Sequence, residues 1–261
     1  MAAAAGSERI MVWLLSLASV VFVSAVSLVG LLMLPFERAR AERLARLLVS
    51  LAVGSLLGDA FIHLLPEAFE QRRRTALATS LLVLAGMLLF FVVEKLVRHQ
   101  RLSREEQGER LARPELLMVN VLGDAVHNFI DGVLLGASYL ISPALGVSTT
   151  LAVFCHELPQ EIGDFAVLLH SGLSVRKAVA VNVASAGTAV LGTLTSLIVG
   201  EAVGRGLSDL LVPVTAGGFV YLAAADLIPE LQKDGSLTGL VSQVVLMWLG
   251  IALMAALTLL E

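Results

Sequence analysis

Cysteine and charge are both scarce in this sequence, and each scarcity excludes a class of protein. Cys155 is the single cysteine among 261 residues, so an internal disulfide framework and a cysteine-based zinc finger are excluded. Only 15% of the residues are charged, and the net charge of -4 provides no basic surface for nucleic acid. Nucleic acid is therefore not an expected partner.

Apolar residues, by contrast, are abundant along the whole chain. They make up 57% of the sequence, and the mean hydropathy is +0.87, so lipid is expected to be the main solvent. A helix that crosses about 30 Å of hydrocarbon needs about 20 mostly apolar residues. The sequence predicts an all-α membrane protein in which residues 1–261 form one transmembrane domain. Its eight predicted spans are approximately 10–34, 44–67, 75–97, 114–140, 145–170, 174–200, 209–230 and 237–260.

The lysines and arginines predict how these spans are oriented. The first span is longer than the apolar core of a signal peptide and is interpreted as a retained helix, so eight spans place both termini on one side. Thirteen Lys and Arg residues then fall on one side of the membrane and five on the other. The positive-inside rule predicts that both termini are outside and that the 98–113 loop is cytoplasmic. The plasma membrane or a bacterial inner membrane is the expected location.

Polar side chains interrupt the fourth and fifth spans at helical spacing. Residues three and four apart share one face of a helix, so each of these spans can present a polar face to the other. Ionisable side chains at membrane depth are costly unless they are paired, hydrated or bound to a metal, and they therefore indicate function. The fourth span carries Asp124, His127, Asn128 and Asp131, and the fifth carries His156, Glu157, Gln160, Glu161 and Asp164.

These side chains form a ligand set suited to a divalent metal. Counted from the ends of their spans, His127 and His156 both lie near the bilayer midplane. Imidazole together with carboxylate and amide oxygen favours Zn(II), Fe(II), Mn(II) or Cd(II) over Cu(I). Pro159 lacks a backbone N–H, which leaves the Cys155 carbonyl free for water or metal. A hydrogen-bond and ion-pair network that locks two helices together is the structural alternative.

One stretch of the fifth span also approaches an enzyme signature. The run His156-Glu157-Leu158-Pro159-Gln160 is close to the H-E-x-x-H pattern of zinc proteases. It lacks the second histidine, because Gln160 stands there, and Pro159 lies inside the helix. An intramembrane metal-dependent hydrolase with Glu157 as general base is therefore the alternative function, and a non-enzymatic role is preferred.

A short pattern recurs in the second and seventh spans. Each contains a polar residue, two aliphatic residues, Pro and Glu, and the two spans cross the membrane in opposite directions. An inverted-topology repeat around a midplane site would produce this arrangement. The alternative is that Pro-Glu merely ends each helix. The repeat predicts His63 and Glu67 at the outer approach to the site, and Asp226 and Glu230 at the inner one.

The longest motifs in the sequence are His127-Asn128-Phe129-Ile130-Asp131-Gly132, residues 156–164 and Gly217-Gly218-Phe219-Val220-Tyr221. These motifs closely resemble those of the ZIP family of zinc and iron permeases, in particular its LIV-1 branch. The resemblance implies an eight-helix fold of 3+2+3 organisation that moves divalent metals toward the cytoplasm. It implies a transport site made of His127, Asn128, Asp131, His156, Glu157 and position 160. This sequence departs from the branch at Gln160, where His is usual, and it lacks the long His-rich cytoplasmic loop.

The sequence therefore predicts a transporter of divalent metal ions, with zinc foremost and with iron, manganese and cadmium as further substrates. No cofactor is expected. No G-x-x-x-x-G-K-[ST] motif is present, so the ion's own gradient or a coupled proton is expected to drive transport. Lipid and divalent metal ions are the expected partners, and a homodimer is a possible assembly. The predicted route passes Glu67 and His63, includes Glu161 as a further ligand, and leaves past Asp124 and Asp164.

Overall fold

A computed structural model describes residues 2–33, 38–70, 75–105, 113–170, 172–203, 205–232 and 237–260. Within these ranges the elements are helices and no strand occurs, which confirms the predicted all-α class. The α-helices are α1 (Ala2–Ser24), α2 (Val29–Met33), α3 (Arg38–Gly58), α4 (Leu65–Glu70), α5 (Ala76–Glu105), α6 (Arg113–Ile141), α7 (Pro143–His170), α8 (Val175–Ala186), α9 (Thr188–Val203), α10 (Arg205–Tyr221), α11 (Ile228–Leu231) and α12 (Leu237–Leu257).

Several of these helices are long and apolar enough to cross a membrane. A shorter apolar helix, Asp209–Ala225, overlaps the predicted seventh span. The predicted fourth and fifth spans correspond to α6 and α7, which are 29 and 28 residues long and carry buried acids among their apolar residues. Among the described residues, the five stretches that meet the length and hydropathy requirement are Arg9–Leu32, Arg46–Glu70, Ala76–Leu96, Val175–Gly200 and Gly239–Leu257.

The exposed surface of the bundle is apolar. Only 17% of the Ala76–Leu96 stretch and 11% of the Gly239–Leu257 stretch is buried inside the protein. Large side chains such as Leu88 and Trp248 point outward, an arrangement that is costly in water and favourable in lipid. The chain is therefore an integral membrane protein.

The interior of the bundle is built around α6 and α7. These two helices pack against each other, while α9 packs along α6 and α3 packs along α7. The apolar core includes Leu135 of α6, Val153 of α7 and Phe219 of α10, each essentially inaccessible. This packing turns the polar faces of α6 and α7 toward the protein interior and away from lipid.

Two helices widen into a π-helical turn that ends two residues before a proline. Residues Asp59–Leu64 join α3 to α4, and residues Leu222–Leu227 join α10 to α11. The backbone N–H of Leu65 bonds to the Ala60 carbonyl, five residues earlier, and Ile228 does the same to Ala223. Pro66 and Pro229 follow, and neither can supply an N–H to the helix. A widened turn accommodates the proline ring without ending the helix.

The close approaches between helices also occur in matching pairs. A Cβ atom on Gly54 of α3 would collide with the Met247 carbonyl of α12, and one on Gly217 of α10 would collide with the Val83 carbonyl of α5. Only glycine permits backbones to meet this closely, as is common between helices in membranes. The reciprocal contacts are Gly250 of α12 against Leu51 of α3, and Gly86 of α5 against Val214 of α10.

Candidate metal centre

The polar faces of α6 and α7 meet at one group of four side chains. His127 and Asp131 lie one turn apart on α6, and His156 and Glu157 are adjacent on α7. One ligand atom from each of these residues lies within 4.8 Å of the others. We refer to them as the four-residue centre. The structure thus brings together four of the seven residues that the sequence predicted as ligands.

The contacts within the four-residue centre join two imidazoles and two carboxylates. His156 Nε2 lies 2.8 Å from Asp131 Oδ2, and His127 Nε2 lies 3.5 Å from the same oxygen. Glu157 Oε1 lies 3.5 Å from His127 Nε2 and 3.7 Å from His156 Nε2. The two Nε2 atoms are 3.4 Å apart. All four ligand atoms therefore face one small space.

The hydrogen bonds around this space leave acceptors facing one another. His156 Nδ1 lies 3.1 Å from the Ala152 carbonyl oxygen, which can only accept, so Nδ1 carries the hydrogen. In the neutral ring Nε2 is then an acceptor, and it faces the Asp131 carboxylate. Asp131 Oδ1 and Glu157 Oε1 are buried without a hydrogen-bond partner. Buried carboxylates beside an imidazole lone pair require a cation, either a proton or a metal ion.

Three of the four side chains in the centre are buried, and His127 is the exception. The side chains of Asp131, His156 and Glu157 are at most 3% exposed, whereas that of His127 is 17% exposed. Phe219 of α10 packs edge-on against His156, with the ring centroids 6.1 Å apart. Exclusion of water strengthens the attraction between the carboxylates and a cation. His127 is therefore the most accessible member of the centre.

Asn128 and Gln160 belong to a second polar layer, which lies beside the centre and surrounds Asp124. Asn128 Nδ2 donates to Asp124 Oδ1 at 2.9 Å and to the Asp124 carbonyl oxygen at 3.1 Å. Gln160 and Ser185 lie near enough to interact with the Asp124 carboxylate. Asp124 and Asn128 are buried, and Gln160 is half-buried. The amide groups of this layer are therefore oriented toward Asp124.

Glu161 has a partner that the sequence analysis missed. Its Oε2 atom accepts a hydrogen bond from Asn182 Nδ2 of α8, and both side chains are only 1% exposed. Glu161 does not belong to the four-residue centre. Asn182 could have been singled out as the one asparagine within the apolar sixth span. Its pairing with Glu161 could not have been predicted, because only the packing of α8 against α7 brings the two residues together.

The residues predicted at the outer approach lie in a packed part of the bundle. His63 is 4% exposed, and its Nε2 lies 3.0 Å from the Met254 carbonyl oxygen of α12. Asp59, one turn earlier, is fully buried, and the Thr149 hydroxyl donates to its Oδ2 at 3.4 Å. Glu67 of α4 is half-buried. His63 and Asp59 are therefore buried between helices in this structure.

The remaining predicted pathway residues are only partly described. Asp164 of α7 is half-buried. The side chains of Asp226 and Glu230 lie outside the described part of the structure, as do those of the predicted cytoplasmic loop at 98–113. The helical fold and the four-residue centre together define an integral membrane protein with a candidate site for a metal ion.

Comparison with known proteins supports this class independently. A family model described as ZIP Zinc transporter matches residues 10–110 and 99–258. "Zinc transporter ZIP13 homolog" of Drosophila melanogaster is 30% identical, with 95% of this chain and 89% of that protein aligned. "Zinc transporter zipt-7.1" of Caenorhabditis briggsae is 30% identical over 86% of this chain and 71% of its own length. "Zinc transporter SLC39A7" of Mus musculus is 29% identical over 97% and 71%.

Because the family model matches nearly the whole chain, this protein belongs to the ZIP zinc transporter family. It is accordingly a transporter of metal ions and not an enzyme. The family predicted from the motifs is confirmed, and the hydrolase alternative is not supported.

Proposed function

We propose that this protein moves divalent metal ions, zinc foremost, across the membrane toward the cytoplasm through the four-residue centre. The observation that carries the proposal is the convergence of two imidazoles and two carboxylates in a buried space without enough hydrogen-bond donors. A transported divalent cation supplies the charge that these acceptors need. The printed names of the relatives support zinc as the substrate.

The proposed ligands at the centre are His127, Asp131, His156 and Glu157. Two nitrogen and two oxygen donors suit zinc, which commonly takes four ligands, and they also accept iron, manganese and cadmium. Asn128 and Gln160 would add amide oxygens from the second polar layer as the ion moves on. Glu161 accepts a hydrogen bond from Asn182 and lies outside the four-residue centre.

The proposed architecture is the eight-helix, 3+2+3 inverted repeat, formed by residues 1–261 as one domain. The two π-helical turns support it, because they recur at a fixed separation. The first residues, Asp59 and Leu222, are 163 positions apart, and so are the last residues, Leu64 and Leu227. The glycine contacts support it further, because Gly54 and Gly217 have the same separation, as do their neighbours Leu51 and Val214. Matching backbone distortions and matching contacts are difficult to produce without a repeated unit.

The proposed route for the ion runs from Glu67 and His63, through the centre, to Asp124 and Asp164, with Asp226 and Glu230 at its inner end. Asp59 and His63 are buried on the predicted outer side. Gln160 and Asp164 are half-buried on the predicted cytoplasmic side. This difference supports a conformation that is closed to the outside and open toward the cytoplasm. Both termini are proposed to be non-cytoplasmic, in a plasma or bacterial inner membrane.

The test is metal uptake by purified protein in sealed vesicles. We expect uptake of zinc and cadmium, and we expect Asp131→Ala to abolish it because the variant removes the carboxylate that contacts both histidines. Glu70→Ala is the matched control, since Glu70 is an exposed acid at the end of α4. Uptake should be measured in competition among zinc, iron, manganese, cadmium and cobalt.

Two outcomes would overturn the proposal. Uptake by the Asp131→Ala variant at the unaltered rate would show that the ion does not use the centre. If the unaltered protein takes up no metal although it and the Asp131→Ala variant are monodisperse and folded, the proposed transport is wrong. Scintillation counting of a radioactive zinc isotope measures both.

A further inference from the structure

Glu161 is a buried acid whose position the transport route leaves unexplained. It lies one helical turn after Glu157 on α7, yet it turns away from the four-residue centre and bonds to Asn182. A buried carboxylate needs hydrogen bonds or an opposite charge. The bond from the neutral Asn182 amide is therefore central to keeping Glu161 where it is.

The amide nitrogen of Asn182 donates two hydrogen bonds. Besides Glu161, it donates at 3.0 Å to the backbone carbonyl of Ser27, which lies in the 3₁₀ turn Ala25–Leu28 between α1 and α2. Asn182 and Ser27 are each 1% exposed. One amide group thus links three separate parts of the chain, namely α7, α8 and the Ala25–Leu28 turn.

The helix pair that carries Asn182 is itself tied to α6. The Thr188 hydroxyl donates to the Ala125 carbonyl at 2.6 Å, and the Thr193 hydroxyl donates to the Gly132 carbonyl at 2.9 Å. The Gly132 carbonyl directly follows Asp131 of the centre. Asn182 therefore connects α7 to a support that already holds the α6 half of the centre in place.

The segment of α7 between the centre and Glu161 has fewer backbone bonds than an ordinary helix. Pro159 lies within it and cannot donate an N–H. Glu157 and Gln160, on either side of Pro159, face His127 and Asp124 respectively. With one backbone bond missing, a side-chain anchor at Glu161 is well placed to fix the rotation of this turn.

We propose that Asn182 is a positioning residue for metal transport: through Glu161 it holds Glu157 and Gln160 toward α6. Asn182 itself does not contact the ion. This inference rests on the proposed function. It predicts that removal of the amide weakens metal binding, although no ligand is removed.

The main variant is Asn182→Leu, which keeps the approximate size of the side chain and removes both donors. We expect the half-saturation concentration for zinc to rise about 10- to 100-fold, as when an outer partner of a metal ligand is lost, with a smaller change in maximal rate. Glu161→Gln keeps an oxygen that can accept from Asn182, so its half-saturation concentration should stay near that of the unaltered protein. If Glu161 acted as a metal ligand, Glu161→Gln would be the more damaging variant.

Ser24→Ala is the matched structural control. It removes the neighbouring hydrogen bond from the Ser24 hydroxyl to the Ala186 carbonyl of α8, at 3.0 Å, and leaves the Asn182–Glu161 bond in place. We expect Ser24→Ala to lower thermal stability slightly and to leave zinc affinity unchanged. If Asn182→Leu does not fold, Asn182→Ser provides a smaller change that still cannot reach both acceptors.

Cadmium binding to detergent-solubilised protein, measured by calorimetry, gives a second readout that does not depend on flux. Weaker cadmium binding by the Asn182 variants, with Glu161→Gln and Ser24→Ala unaltered, would support the inference. Unaltered binding by the Asn182 variants would overturn it and leave the proposed transport intact. If the unaltered protein neither binds nor transports metal, the proposed function itself is wrong.

Discussion

The described residues include two buried histidine–acid groups, which differ in the partners of their imidazole nitrogens. In the four-residue centre, the Nδ1 of His156 is occupied by a backbone carbonyl, and Nε2 faces carboxylates. In the other group, formed by Asp59 and His63, it is the Nε2 of His63 that faces the Met254 carbonyl. Since a carbonyl can only accept, that nitrogen must donate and cannot at the same time bind a metal.

The difference shows that residue type and helical spacing do not by themselves make a metal site. Asp59 and His63 are one turn apart, as are His127 and Asp131. The first pair meets a hydroxyl and a backbone carbonyl on neighbouring helices. The second pair meets a further histidine and acid, which adds acceptors. The facing helix therefore decides whether such a pair stabilises packing or attracts an ion.

The largest expected effect comes from replacing one histidine of each group, His156 or His63, with alanine. His156→Ala should reduce zinc uptake by more than about 100-fold, because it removes a ligand and leaves Asp131 and Glu157 facing each other. His63→Ala should slow uptake and lower the melting temperature, because it leaves the Met254 carbonyl without that partner. Uptake and thermal melting should be measured on the same preparations. Equal losses of uptake would show that both groups bind the ion.

Cysteine labelling tests which group lies toward the outside. In a chain with Cys155 replaced, single cysteines at Ser103 and Ser236 should resist an impermeant thiol reagent in intact cells, whereas one at Ser208 should react. The expected contrast is near-complete labelling against none, since the reagent does not cross the membrane. Labelling at position 103 from outside would place Asp59 and His63 at the exit and Asp124 at the entrance.

A smaller effect is expected from Gln160→His in the second polar layer. Gln160 follows His156 by four residues on the same face, and imidazole binds zinc more tightly than an amide oxygen does. We expect the half-saturation concentration for zinc to fall by about tenfold, or about 1.4 kcal/mol, with an equal or lower maximal rate. The ratio of manganese to zinc uptake should fall as well. Unaltered affinity and ion preference would show that Gln160 does not touch the ion.

The smallest effect concerns the packing around Asp59. Thr149→Val preserves side-chain shape and removes the hydroxyl, which lies 3.4 Å from Asp59 Oδ2 and 3.1 Å from the Ser138 hydroxyl oxygen. We expect a loss of about 0.6 kcal/mol of stability, the average for such bonds in membranes, without a change in zinc affinity. Thr195→Val is the control, because the exposed Thr195 hydroxyl bonds only within its own helix, to Leu191. A changed zinc affinity in Thr149→Val would assign Asp59 to the ion route.

Much of the site could be predicted from local sequence. The four members of the centre and the two amides of the second layer were all recognised because polar residues three and four apart must share a helix face. The Pro-Glu pattern marked the two segments that contain the π-helical turns, but the turns themselves were not predicted. What could not be predicted was the rotation of each helix about its axis, which determines the partner of each side chain.

The sequence by itself determined that the chain is helical and lies in a membrane, because long apolar runs are stable only in lipid and there only with their backbone bonds satisfied internally. It also determined that α6 and α7 carry the polar faces. The tertiary structure alone decided that His63 bonds to Met254, 191 residues away, and that Asn182 of α8 holds Glu161. The physical reason is that a hydrogen bond acts only over about 3 Å, so distant residues become partners only when packing brings their helices together.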